Sequence, residues 1–223
     1  MTIAPANSAA QSSRRAAENG RRAAENSHRA AESVRLLADP LRVLIVDDHP
    51  VVRAGVRELL QEQPDIEVVD AVDSAEAAMM VAERFPIDVA VDDYQLGSRS
   101  GLWLSRMLKR RPDPPRVVIY SAYTDGPLAA ACVVAEADAL VSKAGVGAEL
   151  REAINAVRLG RSRIPRVPPA IADALRHRLA HEDQAIFGML LAGIDRDEIA
   201  RTLSISSAGL EARMWAMLKV LEG

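Results

Sequence analysis

Three carboxylate side chains follow short apolar runs that have the composition of buried strands. Asp47 and Asp48 come directly after the first run, and Asp93 follows Val89, Ala90 and Val91. Carboxylates brought together at the ends of neighbouring strands repel one another unless a divalent cation neutralises them. Ligands that are all oxygen, with room for water, favour Mg²⁺. The sequence therefore predicts a magnesium site.

A hydroxyl group and an ammonium group are expected at the same edge. Ser121 ends the fourth apolar run, and Lys143 ends the fifth. Phosphoryl transfer requires a carboxylate or similar nucleophile, a metal ion and donors to the phosphoryl oxygens. A single serine or lysine at a strand end is usually only solvated. The complete set in this order indicates a phosphoacceptor site.

The elements that must position these groups alternate along the chain from Leu41 onward. Short β-branched runs alternate with amphipathic segments, which predicts a parallel sheet wrapped by helices. The predicted strands are 42–47, 66–71, 88–92, 116–121 and 138–142. The predicted helices begin at Pro50 and lie near 74–84, 101–111, 127–136 and 147–159. The expected fold is an α/β doubly wound five-stranded sheet of the flavodoxin type, which binds ligands beyond the carboxyl ends of its strands.

Residues 41–160 resemble the receiver domain of two-component response regulators, especially the NarL/LuxR family. The resemblance rests on VLIVDDHPVVRAGV at 43–56 and on the intervals of 45, 28 and 50 residues that separate Asp93 from Asp48, Ser121 and Lys143. It implies that Asp93 is the phosphoacceptor, that Asp48 binds Mg²⁺ directly and that Asp47 assists it. It also implies that the backbone carbonyl of Gln95 completes the metal shell, that Ser121 is the switch hydroxyl and that Lys143 contacts the phosphate.

Asp92 is an alternative nucleophile because it precedes Asp93 directly. Side chains alternate between the two faces of a strand, so the two carboxylates point to opposite sides. The register of the family selects Asp93.

The chain departs from the family pattern at two positions of the α/β domain. Gly97 stands where the family usually has proline, which loosens the loop after the phosphoacceptor. Leu140 stands three residues before Lys143, where the family usually has the aromatic residue that follows the switch hydroxyl. The usual route of the signal is therefore open to question, and Tyr123 is a candidate substitute.

The last part of the chain predicts a small helical domain after a linker at 161–178, in which proline and arginine cluster. Residues 179–223 resemble the LuxR-type helix-turn-helix, with GIDRDEIARTLSIS at 193–206 as the most specific segment. Asp195 and Ser206 are expected to cap its helices. The predicted buried stripe of the recognition helix is Leu210, Met214, Met217, Leu218 and Leu221. The opposite face, expected to meet DNA, carries Glu211, Ala212, Arg213, Trp215 and Lys219.

Three classes of function are compatible with these patterns to different degrees. The first is a transcription regulator that a sensor histidine kinase phosphorylates and that binds DNA, with phosphorylation-dependent homodimers as a further expectation. The second is a signalling adaptor, because Glu211 would repel DNA phosphates and the helix that usually follows the recognition helix is missing. An enzyme is the third and is not expected. Aspartyl-phosphate phosphatases need a second carboxylate where this chain has Gln95.

Bulk composition adds three expectations. The single cysteine, Cys132, lies in an apolar run and is expected in the core of a cytoplasmic protein, since no segment predicts a leader or a membrane span. The formal net charge of −3 argues against a non-specific nucleic-acid binder. Residues 1–40 carry a seven-residue repeat at 14–34 with little apolar surface. They are expected to form a disordered or frayed helical tail without a known role.

Overall fold

The computed structural model describes residues 39–145 and 147–223 of the chain. The chain divides into two units, Met1–Pro40 and Leu41–Gly223. The repeat at 14–34 and the expected tail lie outside the described residues, apart from Asp39 and Pro40.

A five-stranded parallel sheet forms the centre of the α/β domain. Its strands are β1 (Leu41–Val46), β2 (Ile66–Val72), β3 (Val89–Asp93), β4 (Arg116–Ser121) and β5 (Ala139–Ser142). They lie side by side in the order β2-β1-β3-β4-β5. This order confirms the predicted doubly wound sheet, and every strand boundary lies within one residue of its prediction.

Apolar residues cover both faces of the sheet. Leu44, Ala90 and Ile119 belong to the core on one face, whereas Ile45 and Val91 belong to the core on the other. A parallel sheet is buried on both faces because its crossover helices lie on both sides, so its strands are continuous apolar runs. This arrangement leaves the carboxyl ends of the strands as the edge where polar groups collect.

Among the described residues, four helices connect the strands of the α/β domain, and a fifth follows β5. They are α1 (Pro50–Gln61), α2 (Ala75–Arg84), α3 (Gly101–Leu108), α4 (Gly126–Val134) and α5 (Gly147–Arg158). Side chains of Ser74, Ser100 and Asp125 cap α2, α3 and α4 by accepting backbone N–H groups. A short antiparallel hairpin lies between Asp93 and α3, and its two strands, Gln95–Leu96 and Arg99–Ser100, have two residues each.

The linker differs from its prediction in one respect. Residues 161–168 contain no helix, but Pro169–Arg178 form a regular helix, α6, that buries Ala172 and Leu175. Arg163 lies along β5, where its carbonyl accepts the N–H of Leu140 at 3.3 Å and its own N–H donates to Asp138 at 2.8 Å. The linker therefore covers the edge of the sheet that β5 would otherwise leave open.

The helical domain continues from α6 with α7 (His181–Leu191), α8 (Arg196–Leu203) and α9 (Ser207–Glu222). Asp195 caps α8 by accepting the N–H of Asp197 at 2.8 Å, and Ser206 caps α9 by accepting that of Gly209 at 3.0 Å. The predicted stripe of α9 is buried throughout. None of the helices in the described part of the chain is long and apolar enough to cross a membrane.

Helix α4 is the surface on which the helical domain lies. It contacts α6, α7 and α9 as well as β5 of the sheet. Its side chains are consequently buried nearly all round, with Cys132 among them as predicted. A side chain at Gly126 would come within 3.2 Å of Ile171 and 3.3 Å of Pro168. A helix that is apolar on every face must be covered on every face, and the two domains satisfy this requirement together.

Candidate functional site

The carboxyl ends of β1, β3 and β5 bring Asp47, Asp93 and Lys143 together. The two carboxylates are almost fully buried. The ammonium nitrogen Nζ of Lys143 lies 2.7 Å from Oδ2 of Asp47 and 2.8 Å from Oδ2 of Asp93. Lys143 therefore joins the two carboxylates, although Asp47 lies 96 residues before it in the sequence.

Burial and charge act in opposite directions on this group. Burial raises the pKa of Asp93, the hydrogen bond and charge of Lys143 partly offset that rise, and the nearby Asp47 adds to it. Burial by itself would lower the pKa of Lys143, but the hydrogen bonds to Asp47 and Asp93 outweigh it and raise this pKa. Lys143 consequently stays protonated, and it places a positive charge beside the nucleophilic oxygens of Asp93.

Asp48 and His49 complete an acidic cluster suited to a divalent cation. Ligand atoms of Asp47, Asp48, His49 and Asp93 all lie within 4.8 Å of one another. The Nδ1 atom of His49 is 2.7 Å from Oδ1 of Asp48 and 3.6 Å from Oδ2 of Asp93. His49 was missed by the sequence analysis, although its position directly after the two aspartates could have indicated it.

Gln95 and Ser121 lie at the same edge. The backbone N–H of Gln95 donates to Oδ1 of Asp93 at 3.3 Å. This hydrogen bond does not involve the carbonyl group of Gln95, whose role as a metal ligand stays a prediction. Ser121 is buried at the end of β4, where its Oγ accepts the backbone N–H of Tyr123 at 3.1 Å. Tyr123 is 65% exposed, so its side chain does not occupy a buried position beside Ser121.

Asp92 lies on the opposite face of β3, in the apolar core. Val46 and Ile119 flank it in the neighbouring strands, and it is 0% exposed. Neither of its carboxylate oxygens has a hydrogen-bond partner among the described residues. This burial raises the pKa of Asp92 well above its ordinary value. A phosphodonor cannot reach it, which agrees with the choice of Asp93.

The predicted DNA-facing surface of α9 is only partly open to solvent, and two of its residues require correction. Glu211 is 8% exposed, and Trp215 is half-buried with its ring 6.5 Å from that of Trp103 in α3. Ala212 and Lys219 are exposed, while Arg213 is partly buried and donates to Asp183 at 2.9 Å. The expected exposure of Glu211 and Trp215 was wrong because α3 of the α/β domain covers that side of α9.

A network of charged side chains joins the two domains at this contact, and we call it the interdomain network. It consists of Arg106, Arg110, Glu136, Arg196 and Glu211. The guanidinium group of Arg106, which is 0% exposed, contacts Glu136 of its own domain and Glu211 of α9. Arg196 lies 3.1 Å from Glu136 and 2.8 Å from Glu211, and Arg110 lies 3.6 Å from Glu211. In the sequence, Arg106 is the one charge within the apolar helix GLWLSRML, and this was the available signal.

Comparison with known proteins agrees with this geometry. A family model described as the response regulator receiver domain matches residues 43–155, which is half of the chain. The chain belongs to the response regulator family. The match covers the acidic cluster, Ser121 and Lys143, so the shared region contains the whole pocket described above.

The relatives of this response regulator are of the NarL/LuxR type. The DNA-binding transcriptional activator DevR/DosR of Mycobacterium tuberculosis is 33% identical over 71% of this chain and 77% of its own length. The transcriptional regulatory protein LiaR of Bacillus subtilis is 27% identical over 81% of this chain and 90% of its own. A solved LuxR-family response regulator from Aurantimonas is 30% identical, with a TM-score of 0.54 over 60% of this chain and 94% of that structure.

Proposed function

We propose that this response regulator accepts a phosphoryl group on Asp93 from a sensor histidine kinase and controls transcription through its helical domain. The observation that carries the proposal is the placement of Lys143 between the buried carboxylates of Asp47 and Asp93. A lysine held by two buried acids costs desolvation energy that packing does not require. A site that must bind a phosphoryl group accounts for it.

The metal ion of the reaction is proposed to be Mg²⁺, held by Asp48 and Asp93 with Asp47 beside them. The carboxylates of the cluster supply the oxygen ligands that Mg²⁺ prefers, and the partly exposed Asp48 leaves room for water. The backbone carbonyl of Gln95 is the further ligand that the family resemblance implies. When bound, a divalent ion neutralises charge on the transferred phosphoryl oxygens.

The side chains of the pocket divide the remaining work. Asp93 supplies the attacking carboxylate oxygen, and Lys143 releases Asp47 or Asp93 to contact the phosphoryl oxygens with its charge. Ser121 provides a hydroxyl at the end of β4. Gln95 occupies the place where a phosphatase of this chemistry has its acid/base carboxylate. We therefore propose that the chain catalyses only its own phosphorylation and slow dephosphorylation.

The output is proposed to be DNA binding by α9, with the exposed Ala212 and Lys219 and the partly buried Arg213 on the DNA side. The relative DevR/DosR is named as a DNA-binding transcriptional activator. Few basic residues on this helix mean few neutralised phosphates, so one copy should bind weakly. Pairing of two phosphorylated copies would raise the affinity through effective concentration.

Labelling of the full-length protein tests the phosphoacceptor. Mg²⁺ and a small phosphodonor should add one acid-labile phosphoryl group to the wild type and to Asp92→Asn. Asp93→Asn should abolish the label, and Lys143→Ala should strongly reduce it. Undiminished labelling of Asp93→Asn would refute the assignment of the nucleophile.

Binding to genomic DNA fragments, with and without the phosphodonor, tests the output. Phosphorylation should tighten binding, and the affinity should fall as salt concentration rises because counterion release drives the association. If the fully phosphorylated protein binds no DNA fragment, the DNA-binding output is refuted and a signalling adaptor is favoured instead.

A further inference from the structure

His49 stands beside the three carboxylates of the pocket without serving as a helix cap. It occupies the N-cap position of α1, but its side chain makes no capping hydrogen bond. Its backbone N–H instead donates to Oδ1 of Asp47 at 2.8 Å, which turns the chain back over the end of β1. The imidazole ring is thereby held at the mouth of the pocket, where the side chain is 63% exposed.

The ring nitrogen Nδ1 of His49 lies close to all three carboxylates. It is 3.3 Å from Oδ1 of Asp47, 2.7 Å from Oδ1 of Asp48 and 3.6 Å from Oδ2 of Asp93. Ligands of one tetrahedral zinc ion, each about 2.0–2.2 Å from the metal, lie about 3.3–3.6 Å from one another. The distances to Asp47 and Asp93 match this spacing, and the partly exposed Asp48 lies slightly closer. The four groups can therefore belong to a single coordination shell.

One oxygen of this cluster has no hydrogen-bond partner. Oδ1 of Asp48 is buried and accepts no hydrogen bond from any described residue, although Nδ1 of His49 is only 2.7 Å away. The close approach of these two atoms is therefore not a hydrogen bond. A buried carboxylate oxygen without a donor is costly, and a cation bound by both atoms would remove that cost.

The formal charge of the pocket is opposite to that of one divalent cation. Asp47, Asp48 and Asp93 contribute three negative charges. Lys143, whose ammonium group contacts Asp47 and Asp93, contributes one positive charge and leaves two negative charges. Histidine binds metals as the neutral imidazole, so it adds a ligand without changing this balance.

We propose that His49 makes the pocket a zinc site, in which Zn²⁺ bound by His49 and the three carboxylates competes with Mg²⁺ and blocks phosphorylation. Imidazole nitrogen favours Zn²⁺, whereas Mg²⁺ binds oxygen ligands and keeps several waters. Four protein ligands complete the zinc shell and engage the carboxylate of Asp93 that attacks the phosphodonor. The inhibition rests on the proposed function of Asp93, whereas zinc binding does not.

Zinc titration of the full-length, metal-free protein in a calorimeter tests the site directly. The wild type should show a zinc site whose apparent affinity falls in excess Mg²⁺. Loss of a side chain that only orients a zinc ligand costs about 10–100-fold in affinity. His49→Ala loses a ligand itself, so it should bind Zn²⁺ at least about tenfold more weakly. His49→Asn should show the same loss with an intact start of α1, since asparagine is favoured at the N-cap.

His181→Ala is the matched control, because it removes another exposed histidine, at the first residue of α7. It should keep the zinc affinity of the wild type. Equal zinc affinities of the wild type and both His49 variants would overturn the proposal. A loss in His181→Ala as large as that in His49→Ala, or zinc binding that excess Mg²⁺ does not weaken, would overturn it as well.

Phosphorylation assays connect the zinc site to the reaction. Zn²⁺ added with Mg²⁺ and a small phosphodonor should lower the labelling of the wild type. Both His49 variants should need at least about tenfold more Zn²⁺ for the same fractional loss of label. Full labelling of the zinc-loaded wild type would overturn the inhibition. Absence of label from the wild type in zinc-free buffer would refute the proposed function instead, and the zinc titration would still decide whether His49 binds the metal.

Discussion

Replacement of Asp92 by leucine should stabilise the protein. Asp92 is fully buried between Val46 and Ile119, and its carboxylate oxygens have no hydrogen-bond partner among the described residues. Leucine has the same branching as aspartate, with two methyl groups in place of two oxygens, so it fits the site with little rearrangement. Asp92→Asn is the matched variant because it keeps the polarity and the shape but cannot ionise.

The magnitude follows from the cost of burying an unpaired polar group. A neutral group of this kind costs about 1–3 kcal/mol, and an ionised one costs more. Asp92→Leu should therefore raise the free energy of unfolding by about 2 kcal/mol near pH 4, where the carboxyl group is largely neutral, and by more at neutral pH. For a domain of this size, that gain corresponds to an increase in melting temperature of about 4–8 °C.

The gain should depend on pH in a defined direction. Burial raises the pKa of Asp92 in the folded state above its ordinary value of 3.8. The folded protein then binds more protons than the unfolded chain above pH 3.8, so this group lowers the stability of the wild type as pH rises through that window. The advantage of Asp92→Asn should thus be small near pH 4 and increase up to the folded-state pKa. The advantage of Asp92→Leu should increase over the same range, but it should already include the cost of the neutral carboxyl group near pH 4.

Thermal melting of the wild type and both variants across this pH range measures the effect. A melting temperature of Asp92→Leu below that of the wild type at neutral pH would refute the desolvation argument. An advantage of Asp92→Asn that does not change with pH would show that Asp92 has the same pKa in the folded and unfolded states.

Three further predictions concern α3, α8 and α9. Gly101→Ala should destabilise the protein by about 1–3 kcal/mol, because the added Cβ atom meets the carbonyl oxygen of Asp93. It should also shift tryptophan emission to the red. A melting curve equal to that of the wild type would contradict the close contact between Gly101 and Asp93. Asp195→Ala should cost about 1 kcal/mol through loss of the α8 cap, and the cap would be unimportant if melting were unchanged. Glu211→Lys should tighten DNA binding and steepen its salt dependence, since it removes a negative charge that repels DNA phosphates. It also places a cation beside Arg106, which opens the contact between α3 and α9. A salt titration in which Glu211→Lys binds no better than the wild type would contradict this.

The sheet and the phosphoacceptor pocket could be predicted because each depends on local pattern. Runs of apolar β-branched residues define the strands, and polar residues directly after them must lie at the carboxyl edge. This rule predicts that Asp47, Asp93 and Lys143 meet once the strand order is known. The structure places a carboxylate oxygen of Asp47 and one of Asp93 within 3 Å of Lys143 Nζ. The caps Asp195 and Ser206 were predictable for the same reason, since a cap depends on residues two or three positions away.

The surfaces of α4 and α9 could not be predicted in the same way. The apolar character of α4 indicated burial on all sides, but the sequence does not say which helices cover it. Glu211 and Trp215 were placed on an exposed face because a single helix offers no information about a second domain. The helix α6 was assigned to the linker because its prolines precede it directly, although proline is favoured in the first turn of a helix.

The sequence by itself determined the order of the elements, the strand ends and the set of groups that can accept a phosphoryl group, because these depend on neighbours within a few residues. Only the tertiary structure decided that Arg106, Glu136, Arg196 and Glu211 meet. Arg106 lies 30 residues before Glu136 in the sequence and 108 residues before Met214, its other contact in α9. It also decided that Gly101 rests on Asp93 and that Trp103 faces Trp215. Contacts between distant segments depend on how two folded surfaces fit, and the short-range periodicity of a sequence carries no record of that fit.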